Sequence, residues 1–189
     1  MVIIMKENIL KSSRFAAFAM AVMIVLSILL GGHRSLQAKR SGVERLFAEG
    51  TESEPGIGTR LTNIAKESVN LCSTAKRYYD PQDPAILAVE NARAELYEAK
   101  TPSEKSAALD RLYAATSELY YKLHDSTPGI SEKHKADVVI NHTNIQSEMD
   151  KIKHNSYNEQ VLSFNRILDG FPASLLSKLT GIDDVELFG

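Results

Sequence analysis

The chain has 189 residues, 43% hydrophobic and 24% charged, a size and composition that suit about one folded domain and exclude a disordered one. Twenty-two Lys and Arg against 24 Asp and Glu leave a net charge of −2, so there is no electrostatic footprint for nucleic acid. A single cysteine, Cys72, excludes an intramolecular disulfide framework and a cysteine-based zinc site, and leaves the compartment open.

Residues 1–14 form a short tail with Lys6, Lys11 and Arg14. Phe15–Leu30, "FAAFAMAVMIVLSILL", then runs sixteen residues without a charge and leads into Gly31-Gly32. As a helix it reaches roughly 24–27 Å, the short end of what a bilayer core requires. Lacking a polar face, it would make a poor soluble helix. A cleaved signal peptide competes with an uncleaved anchor, since Ala38 closes a weak site at "SLQA". His33 and Arg34 stand where a neutral cleavage region belongs, so residues 15–32 are read as a transmembrane signal-anchor in contact with the lipid bilayer. Basic residues flank both ends almost equally. The short tail resembles an n-region, which points to a single-pass protein with its C-terminal domain extracytoplasmic.

Residues 33–189 read as a helical bundle domain. "HRSLQAKRSGVERLFAEG" continues the membrane helix, with Gly42 as a soft point, and "GTESEPGIG" is loop chemistry. From Thr59, Leu61, Ile64, Ser68, Leu71, Cys72, Ala75, Tyr78 and Tyr79 recur on one face of a 3.6-residue period. "DPQDP" breaks that helix. Ala85–Lys100 carries Ile86, Val89, Ala92 and Leu96 on one side; Ser103 is a reasonable N-cap for the next helix, with Ala108, Leu112, Ala115, Leu119 and Leu123 along it. After "DSTPGIS", the longest helix is expected from Ser131 to Asp169, its stripe running from Val138 through His142, Ile145 and Ile152 to Leu168 at near-heptad spacing. Gly170 suits a C-cap and Pro172 forbids continuation; a short helix, Ala173–Leu179, follows before Gly181. The fold class is all-α: an antiparallel bundle of about four helices after one N-terminal transmembrane helix.

Within the last long helix, Tyr157-Asn158 and Phe164-Asn165 are seven residues apart. The aromatics share a face, and the amides lie about 100° round from them at the edge of the seam. The aromatics seal the bundle while each amide bonds to a neighbouring helix; an unpaired buried amide costs roughly 1–3 kcal/mol. Phe171, Leu175 and Leu176 are expected to fold back onto the bundle end.

These residues resemble the C-terminal signature of the LemA family: Tyr157-Asn158, Val161, Phe164-Asn165, Ile167, Phe171-Pro172, Leu175, Gly181 and Phe188. The order of a short tail, one membrane helix and a bundle is similar too. One departure lies in "GTRLTNIAKESVNL", which keeps Arg60, Leu61, Asn63 and Val69 but lacks the proline usual in the family's first long helix. The resemblance implies about four helices on a membrane anchor, no established enzymatic activity, and a role sometimes linked to membrane-protein quality control.

Side chains that suggest chemistry mostly have plainer readings. His33, His124, His134, His142 and His154 include no pair of Glu-x-x-His units, so no di-metal bundle site is expected. Asp150 and His154 read as an exposed i,i+4 pair, His142 as a hydrogen-bonded core histidine, and Cys72 as buried packing. Gly56-Ile57-Gly58 lacks the rest of a phosphate loop. Of the adjacent pairs Tyr78-Tyr79 and Tyr120-Tyr121, one member each is expected outward. No catalytic, cofactor or metal residue is therefore assigned, and the chain reads as a non-enzyme. The function expected is a scaffold or adaptor for another membrane or envelope protein whose identity the sequence does not give. The alternative is a small-molecule or peptide sensor binding between helices, near His142, Tyr113 or Cys72.

Overall fold

The computed structural model describes residues 13–189; Lys6, Lys11 and the rest of the tail before Ser13 lie outside the described residues. Helix α1 spans Ser13–Ala48, 36 residues without interruption, so Gly42 does not break it. It is long and apolar enough to cross a membrane, and none of its most apolar stretch is buried. Phe18 at 68% and Met23 at 67% exposure face outward with no protein cover. Ser27, the one hydroxyl in the run, donates back to the Met23 carbonyl at 2.8 Å, which removes an unsatisfied donor from an apolar setting.

The loop after α1 turns on two glycines. Gly50 has φ +89, and a Cβ there would stand 2.1 Å from the Glu54 carbonyl oxygen. Gly56 donates to the Glu49 carbonyl at 2.9 Å, and a Cβ on it would meet the Gly50 nitrogen at 2.6 Å. Only residues without side chains allow this approach.

Four helices then form the bundle: α2 (Ile57–Ala75), α3 (Pro84–Glu98), α4 (Pro102–Ser126) and α5 (Glu132–Lys153). Their starts are written locally. Asp83 accepts from the Ala85 amide at 3.0 Å with Pro84 beginning the helix, and Ser131 accepts from the His134 amide at 3.2 Å. At α4 the cap is Thr101 rather than Ser103. Pro102 occupies the first helical position, and Glu104 reaches back to the Thr101 amide in a capping box. Short connections make sequence neighbours antiparallel. Packing closes the ring, with α2 on α3 and α5, α4 on α3 and α5, and α2 also against α4. Ile64, Leu71, Ile86, Val89, Leu112, Leu119, Leu123, Val138 and Ile145 are fully buried, each side chain contributing about 1.5–3 kcal/mol. Among the described residues the chain is helical with no named strand, as the periodicity predicts.

The single long helix expected from Ser131 to Asp169 is instead two, α5 and α6 (Tyr157–Asp169). The reason is side-chain competition for the backbone. Asn155 Oδ1 accepts the Tyr157 amide at 2.9 Å, and the Asn155 amide turns back to the Ile152 carbonyl at 3.1 Å. Helix α7 (Ala173–Thr180) ends at Gly181, φ +67, and the chain runs on without regular structure to Gly189.

Contacts divide the described chain into two compact units. One contains the bundle: Gly42–Ser163 with Val185–Gly189. The other joins the described part of the chain up to Ser41 with Phe164–Asp184.

Candidate functional site

The aromatic–amide motif falls across both units. In the bundle unit, Tyr157 is 1% exposed at the first turn of α6. Its ring meets Phe47 edge-on at 5.0 Å, and Phe47 in turn packs on Phe188 at 5.9 Å. The Tyr157 hydroxyl donates to the Glu186 carbonyl at 2.9 Å. Burial first, then the charges of Glu186 and Glu44, push the phenol up to about 12, so it stays a donor. Asn158 makes a closed pair with one residue of the tail. Its Nδ2 donates to the Phe188 carbonyl at 2.8 Å, and its Oδ1 accepts the Phe188 amide at 2.9 Å. The partner of this amide is therefore the C-terminal tail and not a neighbouring helix. Val161 is buried beneath the same turn of α6.

In the other unit, Phe164 and Leu168 are buried and Asn165 is half-buried. The rest of the motif turns outward. Ile167 is 38%, Phe171 88% and Leu175 54% exposed, with Pro172 exposed beside them. The expectation that Phe171 and Leu175 fold back is thus not met; of that group only Leu176 is buried. Leu176 faces Gly32, where a Cβ would lie 2.5 Å from its Cδ1. The periodicity gave no warning of that contact, and the doublet Gly31-Gly32 was the available signal.

A charged seam closes the start of α2. Arg60, 6% exposed, donates to Glu148 at 3.3 Å and lies 3.6 Å from Glu54. Burial alone would raise the Glu148 carboxyl, but hydrogen bonds and charge from Lys151 and Arg60 outweigh it and hold it low. Asp83, besides capping α3, accepts Lys122 through both oxygens, chiefly for which reason its carboxyl is held low.

The histidines take structural places. His142 is 5% exposed, stacks on Tyr120 at 4.0 Å, and has Ser117 Oγ 3.4 Å from Nε2. Burial lowers its pKa. His154 approaches Asp150 at 3.9 Å on an exposed turn. Cys72 is buried, its thiol pushed up to about 11 by burial first and Glu90 second, which disfavours the reactive thiolate. Tyr121 and Tyr97 are outward, whereas Tyr78 and Tyr79 are both half-buried, Tyr78 bonded to His134 in the first turn of α5 and Tyr79 to Thr127 at the end of α4. Among the described residues no three His, Cys, Asp or Glu side chains gather as metal ligands.

The model of the LemA family matches residues 56–189, most of the chain. The chain belongs to the LemA family. The match covers the whole bundle, the Tyr157–Asn158 clasp and the outward-turned α6–α7 segment. A comparison with curated proteins returns no match.

Proposed function

We propose that this LemA-family protein is a single-pass membrane protein whose helical bundle serves as a non-catalytic scaffold or adaptor for another membrane or envelope protein. The observation that carries the reading is α1 itself. Its apolar run is exposed along its length and belongs to a helix that extends to Ala48. An apolar helix of this kind is at home in lipid, since all its backbone groups bond within the segment. The polar side chains of the bundle support a structural role, since Arg60, Asp83, His142 and Cys72 each have a packing or pairing function already described. The surface over α2 and α5 is an open polar cleft lined by Asn63, Lys66, Glu67, Asn144, Glu148 and Lys151, which suits contact with a polar partner better than capture of an apolar small molecule.

Anchoring is tested by alkaline extraction of membranes: the protein is expected in the pellet, and release into the supernatant contradicts the anchor. Sidedness is tested by labelling Lys66 and Lys76, both exposed, with a membrane-impermeant amine reagent on intact cells. Labelling supports the extracytoplasmic bundle; protection until the cells are opened places it inside.

A further inference from the structure

Helix α7 has two apolar faces, and only one is covered. Leu176 packs toward Gly32 of α1. Leu175 and Leu179, four residues apart on a different side, are 54% and 63% exposed, and Phe171, two residues before the helix begins, is 88% exposed. Burial of each such side chain is favourable, so three together are costly to leave in water.

We propose that this exposed set, Phe171, Leu175 and Leu179, is a membrane-interface wedge that sits in one leaflet of the bilayer at the end of the apolar run. The proposal rests on the reading of α1 as a transmembrane helix. The contact that fixes the level of α7 lies within its own unit. Gly32 ends the uncharged stretch that begins at Phe15, with His33 and Arg34 next in sequence. Centred in the bilayer, that stretch spans roughly 27 Å against a hydrocarbon core of about 30 Å, so the boundary between acyl chains and headgroups falls within about 2 Å of its end. That is the level of Gly32, and α7 is docked there. An eight-residue helix is about 12 Å long and fits lying in the interface, its outer stripe turned into the acyl boundary.

Charge does not drive the contact. The exposed cations Arg34, Lys39, Arg166 and Lys178 in this unit exceed the exposed acids Asp169, Asp183 and Asp184 by only one charge. Burial of apolar surface is the driving term, so a zwitterionic surface suffices and added salt has little effect. Gly32 is what allows the wedge to dock. A small side chain there would be accommodated by rotation of Leu176, and a large one would displace α7.

The natural chain has no tryptophan, so one introduced residue reports its own surroundings. The full-length protein is reconstituted in phosphatidylcholine vesicles whose acyl chains carry bromine either close to the headgroup or deep in the core. Four single variants are compared: Phe171→Trp, Leu175→Trp, Met23→Trp within the apolar run, and Tyr97→Trp on α3, each checked for unchanged helical content. F171W and L175W are expected to emit at shorter wavelength than Y97W and to lose fluorescence most to the shallow bromines, M23W to the deep bromines, and Y97W to neither. If F171W and L175W behave like Y97W while M23W is quenched, the wedge is overturned and the anchor stands. If they shift to shorter wavelength without bromine quenching, protein rather than lipid covers the stripe, and the proposal also fails. An unquenched M23W removes the anchor and the wedge with it.

Discussion

Asn158 gives the C-terminal tail the hydrogen bonds a strand partner would give, one accepted and one donated at the same residue, Phe188. Its replacement by alanine leaves the Phe188 amide and carbonyl without that partner in a half-buried site. Asn158→Ala is expected to cost about 1–3 kcal/mol in denaturant unfolding of the full chain in detergent, whereas Asn144→Ala on the exposed face of α5 should stay within about 0.5 kcal/mol. At this scale the sequence was half legible. A seven-residue spacing announces that two amides share an edge, but the partner of Asn158 lies thirty positions further on, in a segment with no periodicity to mark it. His142 was more legible, because a histidine within an apolar stripe must be buried. Burial lowers its folded pKa below the ordinary value near 6.5. A histidine of that kind stabilises the fold fully above the unfolded value, and that contribution is lost as pH falls through about 6.5 toward the folded value, because the unfolded chain takes up the proton first. Unfolding midpoints measured between pH 7.5 and 5.5 should therefore fall, and His142→Gln should flatten that part of the profile.

Helix starts and breaks show how local chemistry edits a periodic pattern. The stripe from Val138 to Leu168 keeps its register across Asn155, so hydrophobic spacing alone predicts one rod. The break is made by a side chain bonding its own backbone, a signal carried by "HNS" rather than by the stripe. The same applies at α4, where Pro102 and Glu104 identify Thr101 as the cap. Thr101→Ala should cost about 1 kcal/mol and Ser103→Ala less at the cap, as read from unfolding midpoints. The Gly50 turn is more demanding, since any Cβ there would collide with the Glu54 carbonyl in addition to the strain of a positive φ. Gly50→Ala should therefore destabilise by more than the roughly 1 kcal/mol of a left-handed non-glycine residue. A loss well below that in thermal unfolding would mean that the loop relaxes freely. The α6–α7 segment shows the limit of pattern reading: Phe171 and Leu175 look like core residues in sequence, because periodicity marks an apolar face without saying whether protein or lipid covers it.

At the level of the molecule, the class and order of the bundle helices were legible because each carries its own apolar face and is bounded by breakers, with a side-chain cap at the start of α3, α4 and α5. The exposure of the apolar run of α1 was legible for the opposite reason: a run with no polar face has no side to pack against the bundle while the other meets water. What the sequence withheld was the division into units, which depends on contacts between the two ends of the chain. The bundle unit takes in Val185–Gly189, and the unit around α1 takes in Phe164–Asp184. The proposed scaffold role belongs to the whole molecule, because it requires a second protein held beside this one. The most direct test is extraction of the full-length protein from its native membrane in a lipid-retaining polymer, followed by mass measurement of the intact particle. The account predicts a particle that contains a second membrane or envelope protein at the same ratio in repeated preparations. A particle of this chain and lipid alone, recovered every time, would contradict it.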